Sequence, residues 1–442
     1  MEQVTKRSIN KVAFTALGGA SVEWYDFSLY SSAAAFVFPR VFFSADLPPL
    51  VALVAAFATF ALGFLVRPLG GILFGNYGDK YGRKKALVVA LMLMGGATTL
   101  IGLLPTYESV GVLAPILLIA LRLAQGLAFG GQWGGAVLLV TEVAPIERRG
   151  FYGSFAQAGV SLGIILANVI FLAFSTQLAE EDFISWGWRV PFLLSVILIG
   201  IALYVQLYLE DTPAFQHLIE EKKKLDATKE VVAKPVKPPM FEVLTTYPKQ
   251  IALAAGAMMA LSMAFYILIT FSVGYAANPA GLGIPRNTML IAVTIGAVFM
   301  GPMIFLGGAI SDKLGRRGIY LFGTVMLGIW AFVMFPLIQT KSFANIVIAI
   351  SVGLCFVGLA YGPQAALFSE MFSTKVRYSG ASLGYQIGTV LGGAIAPLIA
   401  TAVLAEFGTT LAISVYMAIV CTITTISVLL VKETYKNDLE KV

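Results

Sequence analysis

Polar and apolar positions alternate along the chain on one scale only: runs of about 20 or more mostly apolar residues broken by short polar gaps. Twelve such runs are read, at 12–38, 48–74, 86–104, 112–140, 151–175, 188–209, 250–277, 288–310, 319–339, 344–369, 380–404 and 409–431. Lipid offers the backbone no hydrogen-bond partner, so each run predicts a helix, and about 20 residues suffice to cross the hydrocarbon. Pro, Gly, Asn and charge collect in the gaps, as breakers should. The expected architecture is an all-α membrane protein of twelve transmembrane helices. The longest gap, 210–249, holds Lys222, Lys223 and Lys224 and ends near Pro238 and Pro239. It divides the chain into a six-helix bundle at 1–209, a linker at 210–249 and a second six-helix bundle at 250–442.

Composition agrees with the pattern. Apolar residues make up 58% and charged residues 12% of the chain, against about 25% charged in soluble domains. That excludes an ordinary soluble enzyme or a nucleic-acid-binding fold. The net charge of +6 is explained by orientation. With the N-terminus inside, cytoplasmic segments hold 24 of the 30 basic residues, and external loops hold only Arg40, Arg189, Arg286 and Lys341. This is the positive-inside asymmetry, and it places both termini in the cytoplasm. Cys355 and Cys421 lie in apolar runs and His217 is the sole histidine, so no disulfide, metal site or cofactor is expected. No cleavable leader is read in the polar first eleven residues.

The two halves repeat. Residues 75–84 read GNYGDKYGRK and 308–317 read GAISDKLGRR. Gly75, Asp79, Gly82 and Arg83 thereby match Gly308, Asp312, Gly315 and Arg316. Glu142 and Arg149 keep the same spacing as Glu370 and Arg377. Internal repeats are how many transporters are built. An acid can pair with the arginine or accept from backbone N–H groups at a helix start, so these twelve residues are expected to form gates.

The doubled G-x-x-x-D-x-x-G-R-[KR] resembles the signature of the major facilitator superfamily, and Arg122-Leu-Ala-Gln125-Gly126 is similar to its R-x-x-Q-G. Glu23-Trp24-Tyr25-Asp26-Phe27, Arg67-Pro68-Leu69-Gly70-Gly71, Ser185 through Phe192, and Gly362-Pro363 further resemble the metabolite:proton symporter family. That resemblance implies a carrier of shikimate, 2-oxoglutarate, citrate-like acids, or proline and betaine. One departure stands out: the family's G-G-E-[WY]-G reads Gly130-Gly131-Gln132-Trp133-Gly134 here, so Gln132 cannot ionise.

Four ionisable residues fall well inside the spans: Glu23, Asp26, Arg67 and Arg122. Charges at that depth are functional candidates, and two acids with two arginines are expected to pair. Asp26, with Glu23, is the expected proton carrier. Arg122 is the expected contact to a substrate carboxylate, since guanidinium offers a bidentate fork; Arg67 is expected to pair with a charge or brace the gate. Polar stripes add Tyr30, Gln125, Gln132, Trp133 and Gln157 from the first half. Tyr266, Tyr361, Gln364, Tyr385 and Gln386 come from the second. The expected protein is a monomer of the bacterial inner membrane that imports a small organic acid with protons by alternating access. Its only partners would be substrate, protons and lipid. Residues 150–163, GFYGSFAQAGVSLG, lack the G-x-x-x-G-P-x-x-G-G pattern of antiporters, which favours import over the alternative, export of a small anion such as a phosphonate antibiotic. A receptor or scaffold without transport is the alternative from another class, and no constellation of an enzyme is present.

Overall fold

A computed structural model of the 442-residue chain describes residues 6–81, 83–207, 245–277, 281–373 and 376–436. The 210–249 linker therefore lies largely outside the described residues. Within them the chain is helical from end to end. In chain order the long helices are α1 (Lys6–Phe36), α2 (Pro49–Leu65), α3 (Arg67–Tyr81), α4 (Arg83–Leu103), α5 (Leu113–Thr141), α6 (Arg149–Gln177) and α7 (Arg189–Leu207). They continue with α8 (Pro248–Tyr266), α9 (Arg286–Leu314), α10 (Arg316–Gln339), α11 (Phe343–Glu370), α12 (Arg377–Thr389), α13 (Ala396–Phe407) and α14 (Thr410–Leu430). α2 and α3 are one rod interrupted at Val66, just before Pro68, which has no N–H to donate. Single π turns, Ile267–Phe271 and Val390–Ala394, carry α8 onward to Ala277 and α12 into α13.

Among the described residues, each apolar run read from the sequence falls mostly on helix. Among the described residues nine of these are long and apolar enough to cross a membrane. α1, α4 and α7 are not among the nine; α1 carries Glu23 and Asp26, and only Val88–Leu103 of α4 is apolar.

The sequence repeat reappears as a repeat of packing. α1 packs on α6 as α8 packs on α12; α3 on α5 as α9 on α11; α4 on α7 as α10 on α14. Between the two sets, α6 lies along α9 and α11, and α3 and α5 lie along α12. Close approach depends on glycine at defined points. A Cβ on Gly308 would run into the Ser154 hydroxyl and the Gly150 carbonyl, and one on Gly130 into the carbonyl of Arg67. Gly315 separates α9 from α10 at φ +99°, a conformation other residues rarely adopt.

Candidate functional site

The four intramembrane ionisable residues are all buried: Glu23, Asp26, Arg67 and Arg122 are at most 6% exposed. The expected pairing is not what forms. Among the described residues no salt bridge joins any of the four; the arginines lie on aromatic rings instead. The Arg67 guanidinium is 3.7 Å from the Phe129 ring centre and 3.9 Å from that of Phe64. Arg122 is 4.0 Å from Tyr30 and 4.9 Å from Phe60. A ring face attracts a cation through its quadrupole and needs no second charge to be desolvated. Arg122 Nη1 donates to Gln125 Oε1 at 3.1 Å, and Gln125 Nε2 donates to Thr98 Oγ1 at 2.7 Å. The Tyr30 hydroxyl meets that of Thr59 at 2.8 Å.

The two acids, three residues apart on α1, have different neighbours. Glu23 lies within electrostatic range of Arg67, and of Tyr361 and Tyr385. Asp26 faces the Thr98 and Ser195 hydroxyls of α4 and α7, and its Oδ1 has no hydrogen-bond partner.

Between the two sets of helices sits a cavity lined by Trp24, Val160, Phe265, Tyr266, Tyr361 and Tyr385 among others. Its volume, about 20 Å³, admits a water and not a metabolite. A polar chain closes it. Trp133 stacks on Tyr385 at 3.9 Å and 14°, and donates through Nε1 to Gln157 Oε1 at 3.2 Å. Gln157 Nε2 donates across to Gln364 Oε1 at 3.2 Å, and Gln364 Nε2 to the Tyr320 hydroxyl at 3.2 Å. The hydroxyls of Tyr361 and Tyr385 are 3.1 Å apart. Trp133, Gln157, Tyr361, Gln364 and Tyr385, read as separate candidates, thus form one network. Gln132 Oε1 and both amide atoms of Gln386 are buried without partners, and the Tyr266 hydroxyl lies beside Arg67.

At the end where the chain enters α1 and leaves α14, the gate residues of the two sets exchange partners. Arg149 Nη1 reaches Glu370 Oε1 at 3.2 Å, and Arg377 Nη1 reaches Glu142 Oε1 at 3.9 Å. Each arginine also donates through Nε to a carbonyl at the end of its own preceding helix, Thr141 or Ser369. Asp312 accepts from the N–H groups of Gly150 and Phe151 at 2.7 and 2.9 Å. An acid of α9 thereby caps the start of α6, where unsatisfied N–H groups and the helix dipole favour an anion. Arg316 holds Asp312 at 2.5 Å and Glu370 at 3.1 Å. In the first copy of the motif Gly82 lies outside the described residues, as do the side chains at 75, 79 and 83.

The sequence reading missed two groups here. Glu433 accepts from the N–H groups of Arg316 and Arg317 at 2.8 and 3.1 Å, and Thr434 donates to Glu370 at 2.7 Å. An acid and a hydroxyl directly after the last apolar run were the available signal. The rings of Phe27, Phe60, Phe64 and Phe129 were missed because an apolar side chain inside a span reads the same whether it meets lipid or a guanidinium. The opposite end is closed by lighter contacts: Ser31 to Thr270 at 2.7 Å, Ser175 to Asn287 at 3.1 Å, and Arg286 4.8 Å from the Phe183 ring. With both ends shut, the site is occluded.

Comparison with known proteins places this geometry among carriers. The family model described as "Sugar (and other) transporter" matches residues 11–442. The inner membrane metabolite transport protein YhjE of Escherichia coli K12 is 39% identical over 435 residues, 98% of this chain and 96% of that protein. The shikimate transporter of the same strain is 36% identical, over 97% and 96% of the two chains. Its proline/betaine transporter is 33% identical, over 98% and 85%. Among solved structures, the major facilitator superfamily proton:xylose symporter XylE, bound to 6-bromo-6-deoxy-D-glucose, superposes with a TM-score of 0.75. That match covers 98% of both chains at 17% identity, a likeness of fold.

Proposed function

The chain belongs to the sugar (and other) transporter family, multi-pass membrane carriers of the major facilitator superfamily and not enzymes, and on that premise we propose that it imports a small organic acid together with protons. The observation that carries this reading is the occluded centre. Buried acids and arginines of the first set lie beside an amide and aromatic network that crosses to the second set. The contacts between the sets are tied at one end by exchanged ion pairs and at the other by a few hydroxyl bonds. Releasing one end at a time gives alternating access. We take the two sets to be bundles of six spans each, 1–209 and 250–442, joined by a cytoplasmic linker at 210–249. The end carrying both termini and 24 of 30 basic residues is the cytoplasmic one, in a bacterial inner membrane, and the carrier acts as a monomer.

In this reading Arg122 meets the substrate carboxylate, and Glu23 and Asp26 carry the coupling proton. The tyrosines and glutamines of the second set shape the pocket. One observation favours a second cargo: walls of Trp24, Phe265, Tyr266 and Tyr361 suit a quaternary ammonium, as in a betaine-like zwitterion. Competition by unlabelled shikimate, 2-oxoglutarate, citrate, proline and glycine betaine for uptake into proteoliposomes separates the two. Inhibition by the acids alone is expected. Inhibition by betaine and proline, with the acids inert, would replace the organic-acid assignment.

A further inference from the structure

Buried arginines elsewhere among the described residues end on carboxylates: Arg149 and Arg316 on Glu370, Arg377 on Glu142. Arg67 and Arg122 reach none. Nε and Nη1 of Arg67, and Nε and Nη2 of Arg122, are buried with no hydrogen-bond partner. Four buried cationic donors without a hydrogen-bond acceptor in one place are costly, since the ring faces beside them compensate the charge only in part. The two side chains also line a single cavity of about 10 Å³ together with Phe27, Gly63, Met94 and Gln125. Each guanidinium carbon is 5.1 Å from the Phe27 ring centre, so the two lie at most about 10 Å apart. A Cβ on Gly63 would stand 2.6 Å from Arg122 Nε, so a larger residue there would have to shift the Arg122 side chain.

We infer that Arg67 and Arg122 together form a carboxylate clamp that takes the anionic group of the cargo between the two guanidinium groups when the carrier opens; in the closed form seen here the cavity of about 10 Å³ holds at most a water. This rests on the organic-acid reading above and deepens it. Arg67 becomes a substrate ligand in place of the charge-paired brace expected from its position. The rings of Phe27, Phe64 and Phe129 exclude water from the clamp, so the hydrogen bonds made there are strong and require an anion.

The minimal probe is acetate, which needs no knowledge of the natural cargo. Purified full-length protein in detergent is titrated with sodium acetate replacing sodium chloride at fixed total salt, with acetamide as the neutral isostere. Melting temperature and total tryptophan fluorescence are the readouts. Saturable stabilisation by acetate and none by acetamide is expected. Arg67→Gln and Arg122→Gln should each weaken the acetate midpoint at least tenfold, and Arg67→Lys should retain a measurable part of it. If Arg67→Gln does not fold, Arg67→Gln/Glu23→Gln removes both charges and keeps the core neutral. Acetate no better than chloride, or a saturable acetate response that survives both glutamine variants, would overturn the clamp. Acetate bound through both arginines with no acid transported would leave an anion site and remove its assignment to cargo. Transport of acids with acetate binding indifferent to Arg67 would remove the clamp and leave the organic-acid reading standing.

Discussion

Replacing Glu370 by Gln tests the gate at the terminal end most sharply. Glu370 is 1% exposed, and its oxygens take four bonds. Oε1 accepts from Arg149 Nη1 at 3.2 Å and Arg316 Nη2 at 3.1 Å; Oε2 accepts from Thr434 at 2.7 Å and Arg316 Nε at 3.4 Å. Glutamine keeps the shape and removes the charge. Breaking a buried ion pair from one side costs about 3–5 kcal/mol of folding stability. Most of that falls on contacts within the second set of helices, because Arg316 and Thr434 belong to it. Only the Arg149 bond crosses to the first set. A charge-assisted hydrogen bond contributes about 1.5–3 kcal/mol, so the balance between closed and open should move about ten- to a hundredfold toward open. Spin labels at Glu147 and Leu314, both exposed and on opposite sets, read this directly once Cys355 and Cys421 have been replaced. The wild type should give one short distance population, and Glu370→Gln should add a longer one. An unchanged distance distribution in a folded Glu370→Gln protein would refute the gate.

Asp312→Asn turns an amide NH2 toward one of the two α6 N–H groups that the carboxylate now caps, and should add to the same longer population at least as strongly as Glu370→Gln. Gly130→Ala should destabilise by about 1–3 kcal/mol in thermal melts, because its Cβ would meet the Arg67 carbonyl; a melting temperature equal to the wild type's would contradict that packing. Trp133→Ala removes the stack on Tyr385 and the bond to Gln157. It should weaken substrate binding at least tenfold while leaving the spin-label distances at the terminal end unchanged. For the loop pair, the Arg40 hydrogen bond at 2.6 Å holds the Glu180 carboxyl below its usual range. Its small contribution is therefore present above the unfolded carboxyl's pKa of about 4.3 and fades as pH falls through the lower folded value. Melting curves of wild type and Glu180→Gln should differ slightly at neutral pH and converge in acid.

Periodicity and charge asymmetry made the helices legible because the bilayer imposes them on every span. The repeat was legible for a related reason: Glu142, Arg149, Glu370 and Arg377 are charges in gaps, where a polar residue needs a cause. What the spacing withheld was the partner exchange, Arg149 with Glu370 and Arg377 with Glu142, since two copies of a motif do not say whether each closes on itself. The pairing expected among Glu23, Asp26, Arg67 and Arg122 failed for a physical reason visible only in three dimensions. Phenylalanine faces at 3.7 and 3.9 Å do for Arg67 part of what a carboxylate would have done. Helical spacing likewise put Glu23 and Asp26 on one face, but an offset of three residues turns Asp26 toward Thr98 and Ser195, while Glu23 lies within electrostatic range of Arg67.

The central claim, a proton-coupled carrier of an organic acid, is tested most directly by uptake of labelled shikimate, 2-oxoglutarate, citrate and proline into proteoliposomes under an imposed inward proton gradient. Wild type, Glu23→Gln and Asp26→Asn are compared. Accumulation of an acid above equilibrium in the wild type is predicted. It should disappear when the gradient is collapsed and in at least one acid variant, while gradient-free exchange persists. Accumulation that ignores the gradient and both substitutions would contradict proton coupling through this site.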